Sequence, residues 1–394
     1  MIKQDREHNL LAKYLIVFGT RPEAVKFAPV ISEIRKYSDE METVVCVTAQ
    51  HREMLDDVLN VFGIKTDYDL NIMQPKQTLV DLTCRALRGL EEIMVRERPD
   101  MLLVQGDTTS AFIASLAAYY HQVPIGHVEA GLRSRDRYHP FPEEMNRHMI
   151  DVLSDLHFAP TDQAKSNLLA EGVSDEQIEV TGNTVIDALL MAGNMPYEFD
   201  IPELNDLNGP IILVTAHRRE NFGSGLRSIC QAIDALARYF PDITFVFPVH
   251  KNPRVAESVY TILKDKNNVF LIEPLPYLPF IYLMKRSIMI LSDSGGIQEE
   301  APSLNKPLLV LRDVTERPEV VEVGAARLVG TNPERIFREA IRILENDDIY
   351  LKMAEAKNPF GDGKSAERIV LAVHDWVMKS RGAFGSTANK LPFV

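Results

Sequence analysis

Short, near-continuous apolar runs that alternate with longer amphipathic stretches limit this chain more than any other feature. The apolar runs are Tyr14–Phe18, Val44–Thr48, Met101–Val104, Ile125–Val128 and Leu156–Ala159 in the first half. In the second half they are Ile211–Thr215, Thr244–Phe247, Val269–Ile272, Ser287–Leu291 and Pro307–Leu311. Helical patterns such as Leu79–Glu97, Thr109–His121, Ser224–Tyr239 and Pro333–Glu345 lie between them. A strand apolar at every residue is buried on both faces, and strands alternating with helices build parallel sheets covered on both sides. At 394 residues the chain exceeds the usual single-domain size. Met191–Pro210, with Gly, three prolines, acidic residues and Asn, breaks the pattern and reads as a linker. The expectation is an α/β protein of two Rossmann-like doubly wound domains, 1–195 and 196–375. Ligands of such sheets bind at the carboxyl ends of the strands, which predicts an interdomain cleft. Ser365–Arg381 reads as a long helix, and 376–394 as its end and a loosely held tail packing back on the first domain.

The formal net charge of −13, with no Lys/Arg-rich run, argues against a nucleic-acid surface. Cys46, Cys84 and Cys230 are far apart and show no metal-type pairing; Cys46 and Cys230 sit among apolar neighbours and read as buried reduced thiols. No apolar run reaches the roughly 18 residues of a membrane span, and Met1–Lys13 lacks a secretory core. A soluble cytoplasmic protein without a membrane partner is expected.

The most informative string is Leu291–Pro302, Leu-Ser-Asp-Ser-Gly-Gly-Ile-Gln-Glu-Glu-Ala-Pro. A strand that ends in Ser294-Gly295-Gly296 and turns at once into a helix aims bare N–H groups and a positive dipole end at a diphosphate. One turn on, Glu299 and Glu300 suit ribose hydroxyls. The competing reading is an ordinary helix start, with Ser294 as cap and Glu in the first turn. The first strand ends in Gly19-Thr20-Arg21-Pro22-Glu23-Ala24-Val25-Lys26, with Pro22 suited to a first helical turn. Arg21 and Lys26 can both face the strand end, where the Arg21 fork suits phosphate. The later glycines of a dinucleotide fingerprint are absent, so NAD has little support.

Carboxylates recur at the ends of the next strands: Asp107 in Gly106–Ser110, Glu129 in His127–Arg133, and the pair Glu143-Glu144 in Phe141–Arg147. Each has a helix-capping alternative. Together on one sheet edge they would repel and raise at least one pKa, as suits proton transfer near neutral pH. His127 and Glu129 match half of a zinc-deaminase signature, but no Pro-Cys-x-x-Cys follows, so no metal is assigned. In the second half, His217, Arg218 and Arg219 follow a buried strand, and His250, Arg317 and Phe280 lie in comparable loops. Phe280 reads as either a base-facing ring or core.

These strings together resemble the non-hydrolysing UDP-N-acetylglucosamine 2-epimerase family, from Phe18 to about Arg368. The match rests on Gly19–Lys26, Gln50–Leu55, Gly106–Thr109, Gly126–Gly131, Pro142–Asn146, His217–Asn221, Asp293–Pro302 and Glu316–Pro318. The resemblance implies a glycosyltransferase-B type fold with the nucleotide mainly on the second domain. It implies interconversion of UDP-GlcNAc and UDP-ManNAc by a homodimer, without NAD or metal. By position the catalytic residues fall on Asp107, Glu129, Glu143 and His217. UDP contacts fall on Arg21, Lys26, Phe280, Ser294, Gly295, Gly296, Glu300 and Arg317. A second, activating UDP-GlcNAc is implied near Gln50, Arg218 and His250, although Glu53 and Lys76 stand where that pattern favours glutamine and arginine. Rival readings are a glycosyltransferase or a hydrolysing enzyme of the same architecture, and a sugar-nucleotide sensor without turnover.

Overall fold

The computed structural model describes residues 11–48, 52–74, 77–205, 207 and 209–383. Among them, thirteen strands form two all-parallel sheets, one in each of two compact units. The α/β class expected from sequence holds.

The first unit comprises Met1–Ala188 and Gly363–Val394. Its strands are β1 (Ala12–Phe18), β2 (Met41–Val47), β3 (Tyr68–Asp69), β4 (Met101–Gln105), β5 (Ile125–Val128), β6 (Leu156–Ala159) and β7 (Ile178–Val180), in the spatial order β3-β2-β1-β4-β5-β6-β7. The central strands are apolar because helices cover both faces; every residue of β4 and β5 is buried. Leu15, Val17, Leu102 and Val104 pack with Ala86, Leu90, Ile113 and Ala114 from the helices Leu79–Glu97 and Thr109–Tyr120. The order reverses between β1 and β4, the switch point where doubly wound sheets hold ligands.

The second unit comprises Leu189–Asp362. Its strands are β8 (Ile211–Thr215), β9 (Thr244–Pro248), β10 (Val269–Ile272), β11 (Ser287–Ser292), β12 (Leu308–Val310) and β13 (Ala326–Leu328), in the order β10-β9-β8-β11-β12-β13. Here the switch lies between β8 and β11, whose ends are tied by Thr215 Oγ1 to Ser292 Oγ at 2.7 Å. One face is filled by Ile229, Ile233 and Leu236 of the helix Ser224–Tyr239, packed with Val214, Phe245 and Leu291.

Two boundaries differ from the sequence reading. Met191–Pro210 is stapled to the second unit: Phe199 and Leu204 are buried, the Phe199 ring lies 5.5 Å from Tyr282, and Arg286 donates to the Leu204 carbonyl at 2.7 Å. The chain returns to the first unit at Gly363, earlier than the expected 375, because the whole helix Ser365–Ala383 packs there. Ala366 N–H donates to Asp187 at 2.9 Å, and Arg381 bonds Asp100 at 2.6 Å. Cys46 and Cys230 are buried, as read, and burial pushes both thiols up to about 12. Among the described residues no helix is long and apolar enough to cross a membrane.

Candidate active site

The turns after β1, β4 and β5 lie on one edge of the first sheet. The helix Arg21–Arg35 begins at Arg21 with Pro22 in its first turn, as the sequence predicts. Its organiser is Glu23, which the sequence reading passed over. This carboxylate is buried and accepts the N–H groups of Gly19 (3.0 Å) and Thr20 (2.8 Å) and the hydroxyls of Thr20 and Thr108 (both 2.7 Å). It thereby ties the Arg21 turn to the Asp107 turn. Burial pushes its pKa up.

Asp107 does not cap the helix Thr109–Tyr120. Thr108 is the cap, its hydroxyl accepting from Ala111 N–H at 3.0 Å. Asp107 follows Gly106, whose φ of +69° favours glycine, and takes two bonds from Arg147 at 2.6 and 2.9 Å. Glu129 has a φ of +64°, a left-handed conformation unusual for a side-chain-bearing residue and worth about 1–3 kcal/mol of strain. Its side chain, 7% exposed, is held by Lys26 at 2.5 Å, Asn183 at 2.8 Å and Gln105. A β-carbon on Gly106 would stand 3.4 Å from Glu129 Oε2, so the Glu129 carboxylate lies against the Asp107 turn.

The acidic pair at the helix Glu143–Leu153 divides its labour. Glu144 is buried and accepts from the N–H groups of Ser134 (3.0 Å) and Arg135 (2.8 Å) and from Arg147 (2.8 Å). These partners hold its pKa low against the upward push of burial. Glu143 Oε2 is also buried but has no hydrogen-bond partner among the described residues. Glu144 is therefore the structural member and Glu143 the one with an unspent acceptor. Three of the acids carry a counter-charge: Arg147 pairs with both Asp107 and Glu144, and Lys26 pairs with Glu129.

In the second unit the loops after β8, β9 and β12 gather a cationic cluster, with Arg218 and Arg317 against the turn after β11. Asp293, fully buried, accepts the N–H groups of His217 (2.9 Å) and Arg218 (2.9 Å) and the Asn221 amide (3.0 Å). A β-carbon on Gly295 would meet guanidinium nitrogens of Arg317 at 3.0 Å and Arg218 at 3.3 Å, so both cations lie against this turn and any side chain there would crowd them. Ser294 is the cap residue of the helix Gly295–Glu300, yet its hydroxyl makes no cap bond and no acid stands in the first turn. The ordinary-cap reading fails on both counts. Glu299 is committed to Arg317 and Glu300 is buried beside it in sequence. Phe280 is half-buried in the first turn of the helix Tyr277–Arg286, where Tyr277 supplies the core contact.

His217 and His250 stack at 5.6 Å, 17° from parallel. Burial, with His250 and Arg218 adding to it, lowers the His217 pKa below its usual 6.5, although Asp293 opposes the shift. The positive charge of this cluster is thus carried by Arg218 and Arg317. Arg218 and His250, read from sequence as activator positions, belong to the same cluster as His217. Gln50, Lys76 and the side chain of Glu53 lie outside the described residues. Asn183 left no signal in the sequence, because it follows the short edge strand β7. Among the described residues no group of three metal-ligating side chains is assembled.

Comparison with known proteins gives a consistent picture. The family model described as UDP-N-acetylglucosamine 2-epimerase matches residues 33–374. A Salmonella typhimurium protein named UDP-N-acetylglucosamine 2-epimerase is 52% identical over 373 residues, covering 92% of this chain and 99% of its own. A Neisseria meningitidis UDP-GlcNAc 2-epimerase solved with UDP-GlcNAc is 49% identical with a TM-score of 0.81, over 92% of this chain and 100% of that one. A Staphylococcus aureus MnaA–UDP structure is 47% identical with a TM-score of 0.83, over 93% and 97%.

Proposed function

Because this chain belongs to the UDP-N-acetylglucosamine 2-epimerase family, we propose that it interconverts UDP-GlcNAc and UDP-ManNAc by eliminating and re-adding UDP. The reaction inverts C2, a carbon with no adjacent carbonyl, so simple enolisation is not open to it. Loss of the C2 proton is coupled to cleavage of the C1–O bond, whose electron pair leaves with UDP. The product is 2-acetamidoglucal, with a C1–C2 double bond. Return of a proton to the other face of C2 and attack of the diphosphate oxygen at C1 complete the cycle. No oxidation state changes, so the route calls for no redox cofactor.

The division of charge between the units carries the proposal. The second unit offers Arg218, Arg317, Ser294 and Gly295 to a leaving diphosphate, as electrostatic stabilisation of a departing anion requires. The first offers Asp107, Glu129 and Glu143 for proton transfer at C2. Arg21 and Lys26 stand on the same edge as these acids. Lys26 is engaged by Glu129, so its first duty in this reading is to hold that acid in place as its counter-ion. Phe280 and Glu300 are assigned to uracil and ribose. The assignment extends, by resemblance, to a cytoplasmic homodimer.

A sensor gains nothing from acids beside an anionic ligand, and a transferase needs an acceptor. The test is incubation of the purified chain with UDP-GlcNAc alone, followed by separation of the sugar nucleotides. UDP-ManNAc is the expected product. Free ManNAc with UDP would make the enzyme hydrolytic, and unchanged substrate would return it to a transferase or sensor.

A further inference from the structure

His127, one residue before the end of β5, is fully buried, and the proposed chemistry leaves it without a role. Its Nδ1 lies 2.5 Å from Asp151 Oδ1 and its Nε2 lies 2.7 Å from the Gly106 carbonyl oxygen. Both neighbours are acceptors. A neutral imidazole carries one donor and one acceptor, so it can satisfy only one of them; an imidazolium satisfies both. From this geometry we propose that His127 is a buried, permanently protonated positioning residue whose Nε2–H bond to Gly106 fixes the turn that presents Asp107.

The surrounding charges support a cation there. Asp151 is also bound by Arg133 at 2.6 Å, and Arg133 reaches Glu171 at 2.6 Å, so acid and base alternate from Glu171 to His127. Burial alone would raise the Asp151 pKa, yet His127 and Arg133 bring it down to about 2. The other titratable neighbour is His157 of β6, which pairs with His127 in the sheet and donates from Nε2 to the Asp151 carbonyl, 2.9 Å away. Burial lowers its pKa and His127 adds to that, while Asp151 and the Gln177 carbonyl oppose the shift.

The Gly106–Asp107 turn is held at three points. Gly106 N–H donates to the Val128 carbonyl at 3.0 Å, Asn146 donates to the Asp107 carbonyl at 2.9 Å, and His127 holds the carbonyl between them. Losing the middle point lets the Gly106 peptide rotate, carrying Asp107 with it. Misplacing a reacting group by an ångström costs on the order of 100-fold in rate.

The kinetic half of this inference rests on the proposed epimerase reaction; the protonation half does not. The deciding measurement is ring ¹⁵N NMR of the full chain labelled at histidine, with the His127 signal assigned through Asp151→Asn. Both nitrogens protonated at pH 8 is the expected result, and one deprotonated nitrogen there overturns the proposal. In His127→Gln, kcat should fall about 30- to 100-fold while KM and the UDP dissociation constant stay within about threefold, as expected when binding is untouched. Wild-type kcat in that variant, or equal losses in kcat and UDP affinity, would overturn the positioning role.

Discussion

Lys26 donates to Glu129 across 2.5 Å, with side chains only 16% and 7% exposed. The pair spans the first helix and the turn after β5, so the lysine that sequence resemblance assigns to UDP is also the counter-ion of an acid held in a left-handed backbone conformation.

Replacing Lys26 with methionine should therefore act on the acid as well as on UDP. Gln105 and Asn183 still bond Glu129, so the loss of stability should be about 1–3 kcal/mol, the cost of one missing partner to a buried charged group. Turnover should fall more than UDP affinity, and kcat measured beside UDP titration calorimetry separates the two. A pure loss of UDP affinity would place Lys26 on the diphosphate alone.

Asp107→Asn and Glu143→Gln should each reduce kcat by about 100-fold or more, the usual worth of a positioned acid or base. Neither residue caps a helix through its side chain, so melting temperatures should change little. Glu144→Gln makes the contrast: it loosens the Ser134–Arg135 turn and should lower stability as well as rate. Near-normal turnover in both of the first two variants would remove proton transfer from these acids.

His217 bears on pH. Its pKa lies below 6.5, so in the free protein the imidazole is neutral at pH 7 and gains its proton only on acidification beneath 6.5. The profile of kcat/KM should show no His217 inflection at 6.5 or above. Arg218→Gln removes a neighbouring positive charge and should move that inflection upward. An inflection near 7 in the unaltered protein would contradict the assignment.

Asp151 bears on acid stability. Its pKa is depressed from 3.8 to about 2, so the unfolded chain binds the proton more readily and stability is lost as pH falls through that interval. The contribution present above it is about 2 kcal/mol. Asp151→Asn should lower stability near neutrality and flatten the acid limb of urea unfolding. An unchanged acid slope would show that the carboxylate is not held in this way.

Most of the fold was legible because nine of the ten expected strands lie inside their sheets, flanked on both sides; the tenth, β10, is an edge whose four apolar residues still stand out. Leu156–Ala159 and the helices Leu79–Glu97 and Ser224–Tyr239 begin and end where the pattern places them. The strands passed over, β3, β7 and β13, are sheet edges of two or three residues, too short and too exposed for a continuous apolar run. Edge strand β7 hides Asn183 for the same reason. Motif residues could be named from sequence, but not their division of labour. Glu143 and Glu144 are identical neighbours until the Ser134–Arg135 turn folds onto one of them. Thr108 displaces Asp107 as the cap, which no local propensity decides, since both residue types are favoured there. Glu299 and Arg317 are eighteen residues apart, and their pairing exists only once both loops are built.

The central claim is that the C2 proton is removed and returned through the protein's acids while UDP departs from C1. UDP-GlcNAc incubated alone with the chain in deuterated water tests it directly, by mass spectrometry and NMR of the recovered sugar nucleotides. Deuterium at C2 of the UDP-ManNAc formed is predicted, appearing as fast as epimerisation. UDP-ManNAc that retains the original C2 hydrogen would contradict the account.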